Sequence, residues 1–377
     1  MMQLRAVLAA VFLLFTLVTP ATAAVPGELV SSREVAWHPE PLRLLPAPVK
    51  AYDIRYNSTT ATGASTVVSG MVLVSPLPWN NGPRPIVAYA MGTQGLGDQC
   101  APSRQLQNGT EVEIAFLAQA MFNGWAVAVT DYEGLGTPGD HTYAVARSEG
   151  RALLDVARAA SGIPGLSAGA PIGVFGYSQG GQAASAAAEQ WKSYAPSLNV
   201  VGVAAGGVPA DLNAVAKFND GNAGSGLVFA AAAGYAAAYP ELPLASLLNA
   251  RGKQVIDQIR EACVAEIALV APFTRLNALT TTPDVIQNPL WQQRLKENTL
   301  GSVKPAAPVY LYHGGLDELI PFGVGQKLRS QWCSLGADVQ WTPLPLLGHV
   351  TAVSAWGSNA LLWLGDRFAG KSTRPNC

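Results

Sequence analysis

Charge is scarce in this 377-residue chain: Asp, Glu, Lys and Arg make up 13% of it, and the formal net charge is −1. There is no basic field to hold a nucleic acid or an anionic membrane, so a neutral or apolar small molecule is the better-suited partner. Cysteine and histidine are equally sparse, at four each. No C-x-x-C occurs and no histidine lies at a metal-ligand spacing from a cysteine, so neither a metal site nor a cofactor is expected. Beyond the first two dozen residues no apolar run is long enough to span a bilayer; the Ala-rich stretch 230–238 is short and broken by Gly234 and Tyr235. The shortage of charge is not a shortage of core. With 49% hydrophobic residues the chain has ample apolar material for one folded unit, which is expected to be a monomer.

The amino terminus reads differently from the rest. Arg5 precedes the run 6–18, apolar except at Thr16, and Ala21-Thr22-Ala23 offers a small-residue cleavage site. This is the pattern of a secretory signal peptide over 1–24, too short for a spanning helix. The mature chain, 25–377, is then expected outside the cell or associated with the cell envelope. Cys100, Cys263, Cys333 and Cys377 all lie in that part, and an even count in an exported protein favours two disulfides, with three pairings open.

Residues 25–49 are proline-rich without a clean period and read as an extended surface arm carrying no chemistry. The β-rich runs 51–56 and 66–74 read as an antiparallel pair. From there short apolar strands (85–90, 125–130, 171–175, 200–205, 308–312, 339–342) alternate with amphipathic helical stretches (111–122, 143–160, 181–191). Apolar strands alternating with helices imply an α/β fold: a mostly parallel central sheet with helices on both faces. The segment of about 211–301 interrupts the rhythm with helical stretches such as 227–238 and 253–270, and reads as an inserted helical cap. The stretch 227–238 is apolar nearly all round; core packing is the favoured expectation over a substrate-binding wall.

The strongest local signal is Gly176-Tyr177-Ser178-Gln179-Gly180. This G-x-S-x-G follows a strand and precedes an Ala-rich helix, the setting of a nucleophile elbow in an α/β-hydrolase fold. The small neighbours Gly176 and Gly180 let strand and helix approach, and the elbow puts Ser178 at a helix N-terminus where the N–H of Gln179 can stabilise an oxyanion. A serine hydroxyl needs a base, and only four histidines are available. His38 lies in the proline-rich arm, His141 in a loop after the strand 125–130, and His313 four residues before Asp317, where shaping a turn suits it better. His349 follows the last strand and precedes the C-terminal helix, so it is the expected base. Asp317 completes the order Ser, acid, His; its neighbour Glu318 is expected to be a solvated surface charge. A second oxyanion donor is expected from Met91-Gly92-Thr93-Gln94-Gly95, with the backbone N–H of Thr93 as the choice.

Several stretches together resemble the secretory lipase family, the lipase-A type of yeasts and its actinobacterial relatives. They are Gly95 to Ser103 (G-L-G-D-Q-C-A-P-S), Thr130 to Gly136 (T-D-Y-E-G-L-G), Gly176 to Gly181 (G-Y-S-Q-G-G) and the block around His313 to Pro321. The resemblance implies an α/β-hydrolase with a helical cap between the strands 200–205 and 308–312, acting on carboxylic esters including acylglycerols. It carries the triad onto Ser178, Asp317 and His349, and pairs Cys100 with Cys263 and Cys333 with Cys377. The expected activity is hydrolysis of an apolar ester through an acyl-enzyme. Acyl transfer by the same triad and a non-catalytic lipid-binding role are the rivals.

Overall fold

The structure, a computed structural model, describes residues 24–377, so the expected leader lies outside the described residues apart from Ala24. Nine strands form one sheet: β1 (Leu29–Val35), β2 (Lys50–Thr59), β3 (Ser65–Val74), β4 (Ile86–Ala90), β5 (Ala126–Thr130), β6 (Pro171–Tyr177), β7 (Asn199–Gly206), β8 (Val309–Gly314) and β9 (Val339–Leu344). Their spatial order is β1-β2-β3-β5-β4-β6-β7-β8-β9. The pairs from β5 through β9 are parallel, and β1, β2 and β3 add an antiparallel edge. This is the α/β-hydrolase architecture that the strand and helix rhythm led one to expect. The central strands are apolar throughout because both faces are covered: β4 and β5 are buried at every position.

One face packs on the helices Ala146–Ala160, Gln179–Tyr194 and Phe322–Ser334, the other on Pro102–Asn108, Ile114–Phe122 and His349–Phe368. The chain steps from β4 out to β5 and then back across β4 to β6, so the loops after β4 and β6 diverge from neighbouring strand ends. A crevice at such a switch in strand order is where α/β folds place their ligands.

Two sequence expectations change. The arm 25–49 contains β1, which pairs antiparallel with β2. Its residues Val30 to Glu34 are all exposed, so no alternation of buried and exposed positions marks it as a strand. The stretch 253–270 is two helices, Ala250–Arg260 and Val264–Val270, parted where Cys263 pairs with Gly95 in an isolated antiparallel bridge. A tertiary contact overrides the helical periodicity there.

Between β7 and β8 the chain forms seven α-helices and one short 3-10 helix, with apolar clusters around Phe229, Ile256 and Leu279 and around Tyr235, Tyr239 and Trp291. The apolar helix Ser225–Ala238 does more than fill a core. Ala230 and Ala233 are packed, while Leu227, Val228, Phe229, Ala231 and Ala232 line a chamber that also reaches Ser178. Two disulfides tie distant segments: Cys100–Cys263 joins the loop after β4 to this helical unit, and Cys333–Cys377 ties the carboxyl terminus to the helix Phe322–Ser334. Among the described residues no helix is long and apolar enough to cross a membrane.

Candidate active site

β6 ends in a turn so tight that side chains are excluded from its flanks. A Cβ added at Gly176 would lie 2.0 Å from the carbonyl oxygen of Gly180, and one at Gly180 would lie 2.0 Å from that of Ala90. Between them Ser178 adopts φ 59° and ψ −121°, a conformation an L-residue takes only under constraint. The constraint projects its hydroxyl from the start of the helix Gln179–Tyr194, whose first N–H groups have no intrahelical acceptor.

The loops after β8 and β9 bring the other two predicted side chains to that hydroxyl. They are joined to each other through backbone bonds, Gly315 N–H to Leu344 O at 2.8 Å and Leu316 N–H to Leu347 O at 3.0 Å. The Nε2 of His349 lies 2.9 Å from Ser178 Oγ, and its Nδ1 lies 2.7 Å from Asp317 Oδ2. With Nδ1–H donating to the carboxylate, Nε2 is left as an acceptor for the serine proton. The second carboxylate oxygen of Asp317 accepts from the N–H groups of Leu319 and Ile320, at 3.0 and 2.7 Å. Burial alone would raise this carboxyl; the hydrogen bond and charge of His349, with the Ile320 N–H, hold it below the usual carboxylate value.

His313 donates through Nε2 to Ile320 O at 3.0 Å, and that nitrogen is 3.4 Å from Asp317 Oδ2. It bears on the acid loop and does not approach Ser178. Glu318 is exposed, as expected of a surface charge, and also makes a specific bond. Its Oε2 accepts the backbone N–H of His349 at 2.9 Å, filling one of the free donors at the start of the helix His349–Phe368. Tyr177 adds a further hold, donating from Oη to His349 O at 2.6 Å with the two rings 5.0 Å apart.

On the opposite side, the loop 91–95 leaves β4 against the elbow: the Cβ position of Gly180 that meets Ala90 O would also be 2.9 Å from Met91 O. Gly92 N–H donates to Glu113 Oε1 at 2.7 Å, and Tyr89 Oη donates to Glu113 Oε2 at 2.6 Å. The Thr93 hydroxyl is hydrogen-bonded to Tyr143 Oη at 3.0 Å, while its backbone N–H has no protein acceptor among the described residues.

Sequence reasoning did not find the polar group behind Gln179. The carboxamide of this buried residue donates from Nε2 to Glu149 Oε1 at 2.9 Å and to His141 Nε2 at 3.3 Å. His141 in turn donates through Nδ1 to Glu133 O at 2.8 Å. Burial lowers the His141 imidazole to about 4 and pushes the Glu149 carboxyl up to about 8, despite the bonds from Gln179 and Ala144. A buried Glu, Gln and His in Ala-rich surroundings is a signal, but only tertiary structure brings the three together.

The chamber beside Ser178 encloses about 1190 Å³ of empty space, including its open mouth. Apart from Ser178, Gln179, Gln182 and a few other polar residues, its wall is apolar, with Leu227, Val228, Leu244, Ile256 and Leu319 among the contributors. Among the described residues no group of three His, Cys, Asp or Glu side chains is arranged to hold a metal ion.

A family profile described as secretory lipase matches residues 101–376. A secreted triacylglycerol lipase of Malassezia globosa is 30% identical over 94% of this chain and 78% of its own length. A Mycobacterium tuberculosis protein named a probable inactive lipase is also 30% identical, over 92% of this chain and 80% of its own length. Family membership and a working triad are therefore separate matters. In three dimensions the chain is similar to Candida antarctica lipase A in its closed state, with a TM-score of 0.85 at 24% identity, covering 94% of this chain and 85% of that one. Sequence and fold agree, and the chain belongs to the secretory lipase family, as an extracellular serine ester hydrolase.

Proposed function

We propose that the protein hydrolyses apolar carboxylic esters, acylglycerols among them, through an acyl-enzyme formed on Ser178. The hydroxyl oxygen of Ser178 attacks the ester carbonyl carbon while its proton passes to His349 Nε2. Asp317 holds the imidazole in the tautomer that leaves Nε2 free and stabilises the imidazolium that forms. The backbone N–H groups of Gln179 and Thr93 receive the oxyanion. Collapse of the tetrahedral species breaks the C–O bond, and the alcohol leaves with the proton from Nε2. Water then attacks the acyl-enzyme, gives its proton to His349 and releases the acid, and the serine recovers its proton.

The observation that carries this reading is the continuous run of contacts from Ser178 Oγ through His349 to Asp317, at 2.9 and 2.7 Å. The chamber supports an apolar acyl chain as the group held beside the serine, with the helical insertion of about 211–301 acting as its cap. Leu316 and Leu346 stand exposed on the loops after β8 and β9, and Val350 in the first turn of the helix that His349 opens, an apolar rim suited to a lipid surface. With a leader at 1–24 the chain acts outside the cell, as a monomer without nucleic-acid partners.

A fluorophosphonate probe tests the nucleophile: it labels the wild-type protein at Ser178 and leaves a folded Ser178→Ala variant unlabelled. Wild-type protein that hydrolyses emulsified triacylglycerol yet takes up no label at Ser178 contradicts the assignment. Hydrolysis in the presence of a competing alcohol, with free acid as the main product, separates this reading from acyl transfer.

A further inference from the structure

Both proposed oxyanion donors lean on one segment, residues 141–149, whose Tyr143 and Ala144 line the chamber beside Ser178 and whose Glu149 lies outside that lining. Glu149 is the centre of that segment. It is fully buried in the first turn of the helix Ala146–Ala160, and no Lys, Arg or His pairs with it among the described residues. A single oxygen, Oε1, accepts from the Gln179 carboxamide at 2.9 Å and from the Ala144 N–H at 2.8 Å. The other oxygen, Oε2, has no partner among the described residues.

Each of the two bonds leads to one donor. Gln179 carries the first donor on its own backbone, and the peptide that bears this N–H begins at Ser178, whose φ of 59° would relax if it were free to. Fixing the carboxamide between Glu149 and His141 fixes the residue, and with it the direction of that N–H. Ala144 is also held at positive φ, 60°. It adjoins Tyr143, whose hydroxyl bonds Thr93, the residue of the second donor, at 3.0 Å. Burying a carboxyl without a cation is costly, and apolar side chains would fill the same space more cheaply. A packing role therefore gives no reason for a glutamate here. Control of direction does, because oxyanion stabilisation depends on donors held in place before the charge develops.

We infer that Glu149 is a positioning residue whose Oε1 braces both oxyanion donors, Gln179 with the help of His141 and Thr93 through Ala144 and Tyr143. The inference rests on the proposed triad and extends it. It concerns an acceptor atom at one place, so glutamine can replace glutamate but an apolar isostere cannot.

The test compares Glu149→Gln, Glu149→Leu and Tyr143→Phe in purified, folded protein with a soluble p-nitrophenyl ester, reading kcat and KM separately. Glu149→Leu is expected to lower kcat roughly 100-fold, the scale of losing an oxyanion donor, with KM changed less than about threefold. Affinity for a boronic acid, which mimics the tetrahedral species, falls in parallel, whereas affinity for the product acid does not. Glu149→Gln keeps both acceptor bonds and restores kcat to within about threefold of wild type. Tyr143→Phe loses the link to Thr93 alone and lowers kcat about tenfold, as expected for about 1.4 kcal/mol.

Wild-type kcat in folded Glu149→Leu overturns the brace, and so does an equal loss in the Leu and Gln variants. If Glu149→Leu does not fold, unchanged kcat in Tyr143→Phe, or a large loss in Glu149→Gln, overturns it in its place. Fluorophosphonate labelling of the same wild-type preparation keeps the two claims apart. No label at Ser178 removes the triad, whereas normal labelling with unaltered variants removes only the brace.

Discussion

The strand ends around Ser178 and the helical unit inserted between β7 and β8 face the same chamber, but they are held by different means. On the strand side, positions are set by backbone ladders: the loops that carry the proposed nucleophile, acid and base follow β6, β8 and β9, strands locked in parallel register with their neighbours. The inserted side has no ladder. Its helices, two of them only four residues long, are placed by side-chain packing, by the isolated bridges Gly95–Cys263 and Leu248–Thr280 and by the Cys100–Cys263 bond. Phe273 and Leu269 remain exposed there, and Phe273 and Asp284 sit at positive φ. The difference shows where each requirement is met. Proton transfer tolerates little displacement and is built on the rigid part, while accommodation of an acyl chain asks for shape alone and is left to the adaptable part.

That comparison can be broken in several places. Ser178→Ala and His349→Ala should each lower kcat/KM by roughly 10⁴-fold or more, with little change in thermal midpoint for Ser178→Ala, which removes chemistry and almost no packing. Appreciable turnover in either would move the chemistry away from the strand ends. Gly180→Ala places a methyl group where Ala90 O already sits, and should cost about 4 kcal/mol or more in urea unfolding. A wild-type midpoint would mean the elbow is looser than its backbone contacts imply.

The disulfides sharpen the contrast. Loop closure assigns up to about 5 kcal/mol to the bond spanning 163 residues and about 4 to the one spanning 44. Replacing Cys100 and Cys263 by serine should therefore destabilise more than replacing Cys333 and Cys377, and should depress activity as well, since this bond ties the insertion to the loop after β4. The reverse order in thermal melts would sever that link.

Glu149 makes a prediction in pH. Its folded value of about 8 lies above its ordinary 4.5, so the stability it contributes is fully present below about 4.5 and is lost as pH rises through 8. Glu149→Gln should flatten the fall in stability over that window by at most about 1.4 kcal/mol per pH unit; parallel wild-type and variant curves would show that its environment is not what burial implies. The smallest effect belongs to the insertion. Val228→Trp should reduce turnover of long-chain esters about tenfold relative to short ones, for about 1.4 kcal/mol of lost fit. An unchanged chain-length profile would locate the acyl chain elsewhere.

The strands from 51 onward could be read because their pattern is local: apolar runs of the right length separated by turns, as in 85–90 and 125–130. β1 could not be read, since its residues face solvent and it is a strand only by pairing with β2. Of the site, Ser178, Asp317 and His349 were accessible by chain order and by the scarcity of histidine. Glu318 is exposed as expected, but its capping bond could not be read, because the helix terminus that its carboxylate serves begins 31 residues later. His141 was set aside as a base and does not reach Ser178, yet it lies in the wall behind Gln179, which nothing in its loop context discloses.

What the chain determined by itself are the features that depend on near neighbours: the alternation of strands and helices, the glycines that an elbow needs, and the order of the three proposed triad side chains. Only tertiary structure decided which loops converge, which cysteines meet, and that one buried carboxyl accepts from both Gln179 and Ala144. The physical reason is range. Turn and helix preferences act over a few residues, whereas contacts between residues 100 and 263, or 178 and 349, exist only once the sheet has brought its ends together.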